Sequence, residues 1–543
     1  MPTPIPIRRW GDLGIISDLH PYDLPPHAWS KGNNIRFKDG KVLRAPGFRT
    51  AEDDFGTTPR FIFGVTPNTG NDYLIHTEDD GTIYKWQSGT STDYSPAGYS
   101  GATNDLPFTG ANHGSVVYIN RASHEPAYLG PSDSQFSSLP DWDSGWRCKS
   151  LRGYKDFMVA LNITKSAVEY PTMVKWSDQS QVGAPPASWD EADATTLAGE
   201  TPLAEMKGQL LDGLVLKGAF VLYGDEEVHL MEYNGGRFVF SFRRLFNDDG
   251  IINTNAAVEV SGLHYVFGRN DLYVHDGISK RSLAAGKVRD KVFSELNYAK
   301  RDKFFVFHDP ILKSVYFCYN AQDADAGWRD TDYCNRAAVF NYDNGSWSFM
   351  DMPNVCSASH LNVTFSLTAE TYTTLATETY ATYGGQYQSQ EDGQNRTTVI
   401  ANRPSAGNSI VGDKLYAFDP IDYGSLVQLP LDTAVIKPAF VERTKIDLDE
   451  LGINLAGYKV LHSVYPQVKV FSQLSTLQCE FGGSMYPQDS TNWETAQDYD
   501  PYTNYKLNSR AGGKYLGLRF TKTDAEDFEL AGADISLSLN SFR

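Results

Sequence analysis

Two Asp-Asp-Gly runs, Asp79-Asp80-Gly81 and Asp248-Asp249-Gly250, are the first places where this sequence suggests chemistry. Adjacent carboxylates ahead of a glycine can open a calcium loop. Such a loop needs further oxygen ligands at set intervals and a bidentate Glu at its end. Neither run supplies them, so both are expected to be tight turns. The 11 His residues never fall as HExxH or HxH, spacings that bring two imidazoles to one metal. His20 and His27 flank Pro21, Pro25 and Pro26 and are expected to pack or hydrogen-bond in a turn. Cys148, Cys318, Cys334, Cys356 and Cys479 are scattered and form no CxxC pair. Free thiols in a reducing compartment are expected of them. The chain has no GxxxxGK[ST] phosphate cradle, no GxGxxG between a strand and a helix, and no GxSxG nucleophile elbow. Propeller glycosidases use paired carboxylates, but among 67 acidic residues no pair stands out by context. The sequence therefore names no catalytic residue, no cofactor-binding residue and no metal ligand, and no enzyme is expected.

The elements that would position a site read as short strands. Of 543 residues, 41% are apolar, enough to bury a sizeable core. The 31 Tyr, 29 Phe and 46 Gly favour strands and turns over helices. No apolar run approaches the ~20 residues of a membrane span. The start, MPTPIPIRRW, lacks the apolar region of a secretory signal.

From about residue 60 a loose repeat appears, an apolar strand, a polar turn and a second strand ending in an aromatic. Tyr73-Leu74-Ile75-His76 leads to Ile83-Tyr84-Lys85-Trp86, and His264-Tyr265-Val266-Phe267 leads to Leu272-Tyr273-Val274. Such units begin near residues 73, 116, 157, 220, 264 and 304. This period matches the four-strand blade of a β-propeller, in which each small sheet covers the faces of its neighbours. The expected fold is all-β, a propeller of six blades, or seven if Lys414-Leu415-Tyr416-Ala417-Phe418 joins strands from elsewhere. Two or three separate sandwiches form the rival architecture.

Residues 1–52 and 431–543 differ from the repeat. Asn34 to Arg44 reads as a hairpin turning at Asp39-Gly40. Near the other end, Lys459 to Val470, Tyr515 to Phe520 and Asp534 to Leu539 alternate like half-buried strands of a compact β-domain. The expected division is N-terminal platform strands over 1–52, a propeller over 53–430, and a sandwich-like platform domain over 431–543. Residues 183–208 read as an exposed loop. Residues 357–412 form a longer polar insertion holding Tyr372, Tyr380, Tyr383 and Tyr387. It is read as a two-stranded hairpin whose tip makes contacts, with a low-complexity linker as the alternative.

The net charge is −19, made of +4 in residues 1–50 and −23 beyond them. This balance disfavours tight wrapping of nucleic acid, which needs clustered cations to displace counterions. It leaves room for DNA that passes by without sticking.

Three stretches carry a family resemblance. The opening runs Asp18 to Ser30 and Asn33 to Gly40, with Ala45-Pro46-Gly47-Phe48, resemble the start of tail nozzle proteins of short-tailed bacteriophages. Asp249 to Asn253 with Val258 to Gly268 is similar to that family's propeller, and Ser509 to Phe520 to its ending. Packaged-DNA stabilisation proteins are similar in plan. The resemblance implies a homohexameric structural protein of the virion tail, assembled in the host bacterial cytoplasm, in which the N- and C-terminal strands join in one platform domain around the channel and the propeller is inserted between them, on the outside. It would sit below the portal and the adaptor, or head-to-tail connector, beside tail fibres or spikes. It would retain packaged viral DNA and conduct it during ejection, without sequence-specific binding. It implies no catalytic residue and no cofactor, and it leaves the channel-lining residues unknown. The competing readings are a receptor- or glycan-binding propeller or tail fibre module, and a propeller glycoside hydrolase.

Overall fold

The computed structural model describes residues 4–52, 55–56, 58–67, 71–87, 89–96, 98–99, 107–236, 238–323, 331–362, 396–403, 412–419, 431–448, 457–471 and 475–540. Their regular secondary structure is almost all strand. One α-helix, Arg289–Glu295, and two short 3-10 turns interrupt the strands. Among the described residues no helix is long and apolar enough to cross a membrane.

Five consecutive four-stranded antiparallel sheets follow one another along the chain. Blade 1 runs from Phe61–Val65 to Thr90–Asp93, and blade 2 from Phe108–His113 to Ser137–Ser138. Blade 3 runs from Arg147–Tyr154 to Gly199–Pro202, blade 4 from Leu210–Leu216 to Phe240–Phe246, and blade 5 from Ala257–Val260 to Lys280–Ser282. The first strands of successive blades lie side by side around an axis, so the fold is propeller-like. Middle strands are buried on both faces because each blade is sandwiched between two others. Val116–Arg121 is buried at every residue, as is Leu272–His275. The cores lie between blades. Ile75 and Ile83 of blade 1 pack with Val117 and Ile119 of blade 2, and Leu161 and Val174 of blade 3 with Leu222 and Met231 of blade 4. Each such side chain contributes about 1.5–3 kcal/mol on burial.

The next two blades share a strand. Trp347–Asn362 pairs through its first half with Cys334–Asn341, completing blade 6 behind Phe305–Asp309 and Ser314–Tyr319. Its second half pairs with Arg396–Asn402 and opens blade 7. The strand turns at Asn354, which takes a left-handed φ of 53°. The Asn354 side chain accepts from the Tyr333 amide at 2.8 Å and donates to the Arg403 carbonyl at 2.9 Å. Asparagine tolerates this conformation because its short side chain can bond the local backbone. Leu415–Asp419 pairs next, and Gly47–Glu52 adds the outermost strand. Blade 7 lies against blade 1. Among the described residues the ring therefore has seven blades, and a strand from the N-terminal region closes it. Gly47–Glu52 thus departs from the platform role expected for residues 1–52.

Gly14–Ile15 pairs in parallel with Ala28–Trp29 and, at Gly14, with Trp347 of blade 6. The other N-terminal strands join the C-terminal ones in two sheets, here called the platform. In one, Tyr458–Val470 pairs with Phe528–Asn540, whose other side takes Ile5–Arg8 and Lys41–Arg44, with Ile35–Lys38 beyond. In the other, Leu477–Ser484, Tyr515–Lys522, Ala439–Ile446 and Lys31–Asn33 lie in that order. The expected hairpin is present, with Lys38 opposite Lys41. Asp39 and Gly40 adopt φ of 53° and 75° at its turn, as two-residue hairpins require. Trp10, Trp29 and Phe520 pack between the sheets, with Trp10 and Trp29 edge to face at 5.3 Å.

The loop reading of residues 183–208 holds in part. Gly199–Pro202 is the fourth strand of blade 3, and Trp189 is buried against Trp142. All five cysteines are buried and free.

Candidate functional site

The chemistry-bearing residues of the propeller gather along its axis. Two chambers of about 320 and about 610 Å³ meet there, at Phe63, Gly110, Arg152, Leu214, Ser359 and His360. Inner-strand glycines let neighbouring blades approach this closely. A Cβ on Gly64 of blade 1 would lie 2.1 Å from the His360 carbonyl oxygen of blade 7. The Gly64 amide instead donates to Ser359 Oγ at 2.7 Å. Gly110 and Gly153 stand in the same relation to Phe63 and His113 of the preceding blades.

Arg152 occupies the waist between the chambers. Its Nε and Nη2 donate to the two carboxylate oxygens of Asp212 at 2.8 and 2.7 Å. Nη1 donates to the Gly110 carbonyl at 3.0 Å, and Nη2 also to Asn255 Oδ1 at 2.7 Å. Asp212 further accepts from Ser150 Oγ at 2.7 Å and the Asn255 amide at 2.9 Å. Asn255 Nδ2 in turn donates to the Phe108 carbonyl at 2.8 Å. Burial alone would raise the Asp212 carboxyl, but the Arg152 charge and these hydrogen bonds outweigh it and hold it below the usual carboxylate range. The pair is a charged rivet through blades 2 to 5. The Asp212 oxygens and four of the five Arg152 N–H donors are engaged in these bonds, so the pair acts first as a structural tie. His308 and His360 meet edge to face at 5.0 Å on the wall of the smaller chamber.

The Asp-Asp-Gly runs are turns, and they also carry ion pairs. Asp79 takes Arg403 at 2.7 and 2.5 Å, joining blade 1 to blade 7. Asp248 accepts from Lys280 at 2.7 Å, and Asp249 shares the same lysine. Among the described residues no group of three or more His, Cys, Asp or Glu could hold a metal ion. His27 Nδ1 lies 2.9 Å from the Arg8 carbonyl oxygen, and His20 leans on Tyr22. Tyr372, Tyr380, Tyr383 and Tyr387 lie outside the described residues. The two ends of their insertion pair as antiparallel strands, Asn362 opposite Arg396.

A second assembly of polar groups ties the N-terminal segment to the propeller and to the C-terminal strands. Asn33 and Asn34 bond Asp351 in blade 6, and Asn34 Nδ2 also donates to the Pro438 carbonyl at 3.0 Å. Arg44 Nη2 donates to the Lys437 carbonyl at 2.8 Å, and Arg443 Nη1 to the Pro21 carbonyl at 2.7 Å. The Asp18 carboxylate accepts from the Asp290 and Lys291 amides at the start of the helix Arg289–Glu295. Sequence reasoning missed all of these pairs. The partners are hundreds of residues apart, and no local pattern marks them.

No protein-family model matches the chain, and no curated protein matches it. Among solved structures, it is similar to Chaetomium thermophilum Raptor at a TM-score of 0.38 and 9% identity, over 71% of this chain and 29% of that one. It is also similar to the computationally designed Ika8 protein at a TM-score of 0.34 and 10% identity, over 68% of this chain and 99% of that one. Likenesses this distant carry no argument about function.

Proposed function

We propose that the chain is a structural subunit of a short-tailed bacteriophage tail. In this reading six copies form a nozzle ring below the portal and adaptor, which retains packaged DNA and conducts it during ejection. One observation carries the reading. Both ends of the chain supply strands to one platform, and the seven blades lie between them in sequence, with Gly14–Ile15 and Ala28–Trp29 added beside blade 6. This is the arrangement that the sequence resemblance implies, and Asn33 to Gly40 of the opening stretch and Ser509 to Phe520 of the closing one fall in the platform. A platform rigidly joined to the propeller suits a ring wall, where mechanical continuity matters more than a reactive group. The net charge of −19 is compatible with a surface past which DNA slides.

Negative-stain microscopy of the purified protein, alone and mixed with the adaptor, tests the reading. Sixfold rings are expected. A chain that stays monomeric in both conditions would overturn it.

A further inference from the structure

The axial passage of the propeller is lined out of keeping with the charge of the chain. The sequence holds 67 acidic against 48 basic residues. Among the described residues, Asp302 is the only acid that lines either chamber, against Arg60, Arg152 and Lys303. Asp79 and Asp212 pair with Arg60 and Arg152 at 3.9 and 2.7 Å, but neither carboxylate lines a chamber. Among the described residues no Asp, Glu, Tyr or Trp lines the larger chamber.

Two donors of that larger chamber keep unused capacity. The Arg152 side chain is 15% exposed. One of its five N–H donors, the second on Nη1, makes no hydrogen bond. His113 of blade 2 lies against Gly153, where a Cβ would come 2.7 Å from its Nδ1. Neither ring nitrogen of His113 is hydrogen-bonded within the chain. Burial lowers this ring below the usual 6.5, against the pull of Asp156, so at neutral pH it is uncharged and has one N–H to give.

Much of the remaining wall is apolar. Phe63 and Leu214 are half-buried where the chambers meet, and Ala111 and Phe220 continue the surface in the larger one. Its volume of about 610 Å³ lies in the range of small-molecule pockets, which combine apolar walls with a few polar groups that fix orientation. An organic cation would find no carboxylate on this wall. A sugar would find neither a Tyr or Trp face to stack on nor carboxylates to accept from its hydroxyls. A carboxylate on an apolar body matches what is there. Its oxygens accept from N–H donors, and its body covers Phe63 and Leu214.

We propose that the axial passage binds a small organic acid, an aromatic or aliphatic monocarboxylate. The carboxylate accepts from the free Arg152 N–H at the waist, with the His113 N–H as the second donor of the larger chamber, and the apolar body lies on Phe63 and Leu214. Arg152 stays bonded to Asp212, so the ligand adds to the tie instead of breaking it. The passage lies within one chain, so this site does not depend on the tail reading above.

Isothermal titration calorimetry of the full chain with acetate, benzoate, 2-naphthoate and the neutral 2-naphthamide tests it. Affinity should rise from acetate to 2-naphthoate as the ligand covers more of the wall. The 2-naphthoate should bind one to one and about tenfold or more tightly than 2-naphthamide. His113→Phe removes one donor and should weaken 2-naphthoate about three- to tenfold. Leu214→Trp fills the waist and should abolish binding. Should that variant fail to fold, Val215→Trp narrows the larger chamber from a 41% exposed position and should weaken binding about tenfold. A wild type that binds none of the carboxylates more tightly than about 10 mM would overturn the proposal. So would equal affinity for 2-naphthoate and 2-naphthamide. Binding that all three variants leave unchanged would place the ligand elsewhere and overturn it too.

Discussion

Asn34 and Asp351, 317 residues apart, exchange hydrogen bonds across the joint between platform and propeller. Asn34 Nδ2 donates to Asp351 Oδ2 at 2.9 Å, and the Asp351 amide donates back to Asn34 Oδ1 at 2.8 Å. Asn33 Nδ2 adds a third bond to the same carboxylate at 2.7 Å. Asn34 is buried with a φ of 55°, a conformation that asparagine accepts more readily than most residues.

Asp351→Ala strands a buried amide donor on Asn34 and a half-buried one on Asn33, and its expected cost is about 1–3 kcal/mol. Urea unfolding followed by tryptophan fluorescence would read the loss as a lower midpoint. An unchanged midpoint would show that water replaces the carboxylate and that the joint is weaker than its geometry suggests.

Closure of the ring by Gly47–Glu52 makes Phe48 a second test. Phe48 is buried against Tyr416 and Phe418, with ring centroids 5.7 and 5.8 Å away. Phe48→Ala should cost about 3–5 kcal/mol. It should also expose blade 7 to protease ahead of blades 2 to 4. Uniform cleavage along the chain would argue against a latch at this strand.

Gly64→Ala probes the axis. The added methyl meets the His360 carbonyl, a backbone group that cannot swing aside. The expected penalty is about 1–3 kcal/mol. Gly98→Ala provides the contrast, since its Cβ would meet nothing within 4 Å and its φ of +79° makes any penalty one of backbone strain alone. Unchanged or raised stability in Gly64→Ala would show that the two blades part there at no cost.

Acid should weaken the contact between blades 4 and 5. Tyr223 Oη lies 2.7 Å from His264 Nδ1 and 2.6 Å from His275 Nε2, and His264 Nε2 lies 2.9 Å from the Val215 carbonyl oxygen. The Gly277 amide donates to His275 Nδ1 at 3.3 Å. These partners assign both rings as neutral, with Tyr223 donating to His264 and accepting from His275. Burial lowers His264 from 6.5 to about 4, against the Val215 bond and Glu259. Burial and the charge of His264 lower His275 to about 3, against Asp276. Over that range the unfolded chain binds more protons. Stability should therefore be level above 6.5 and fall as pH drops toward 4. His275→Gln removes one titrating ring and should make the decline shallower. Urea midpoints that do not change with pH over this interval would contradict the assignment.

By itself the sequence determined the strands that are buried on both sides. Val116–Arg121 and Leu263–Phe267 read as strands because each is pressed between two blades, and such burial demands a nearly unbroken apolar run. It also determined the Ile35–Arg44 hairpin, whose turn needs left-handed residues that Asp39-Gly40 provides. The innermost strands of blades 2 to 4 were hidden. Glycine and polar residues interrupt them at Gly110, Arg152-Gly153 and Asp212-Gly213, where blades meet too closely for larger apolar side chains. The outermost strands, such as Ser137–Ser138 and Lys280–Ser282, are short and exposed, so no core marks them. The seventh blade combines residues 47–52 with three segments beyond residue 354, and only the tertiary structure brings them together. The same holds for Arg152 with Asp212 and Asn34 with Asp351. A buried polar group is satisfied by whatever partner the fold delivers, and that partner leaves no trace in the residues beside it.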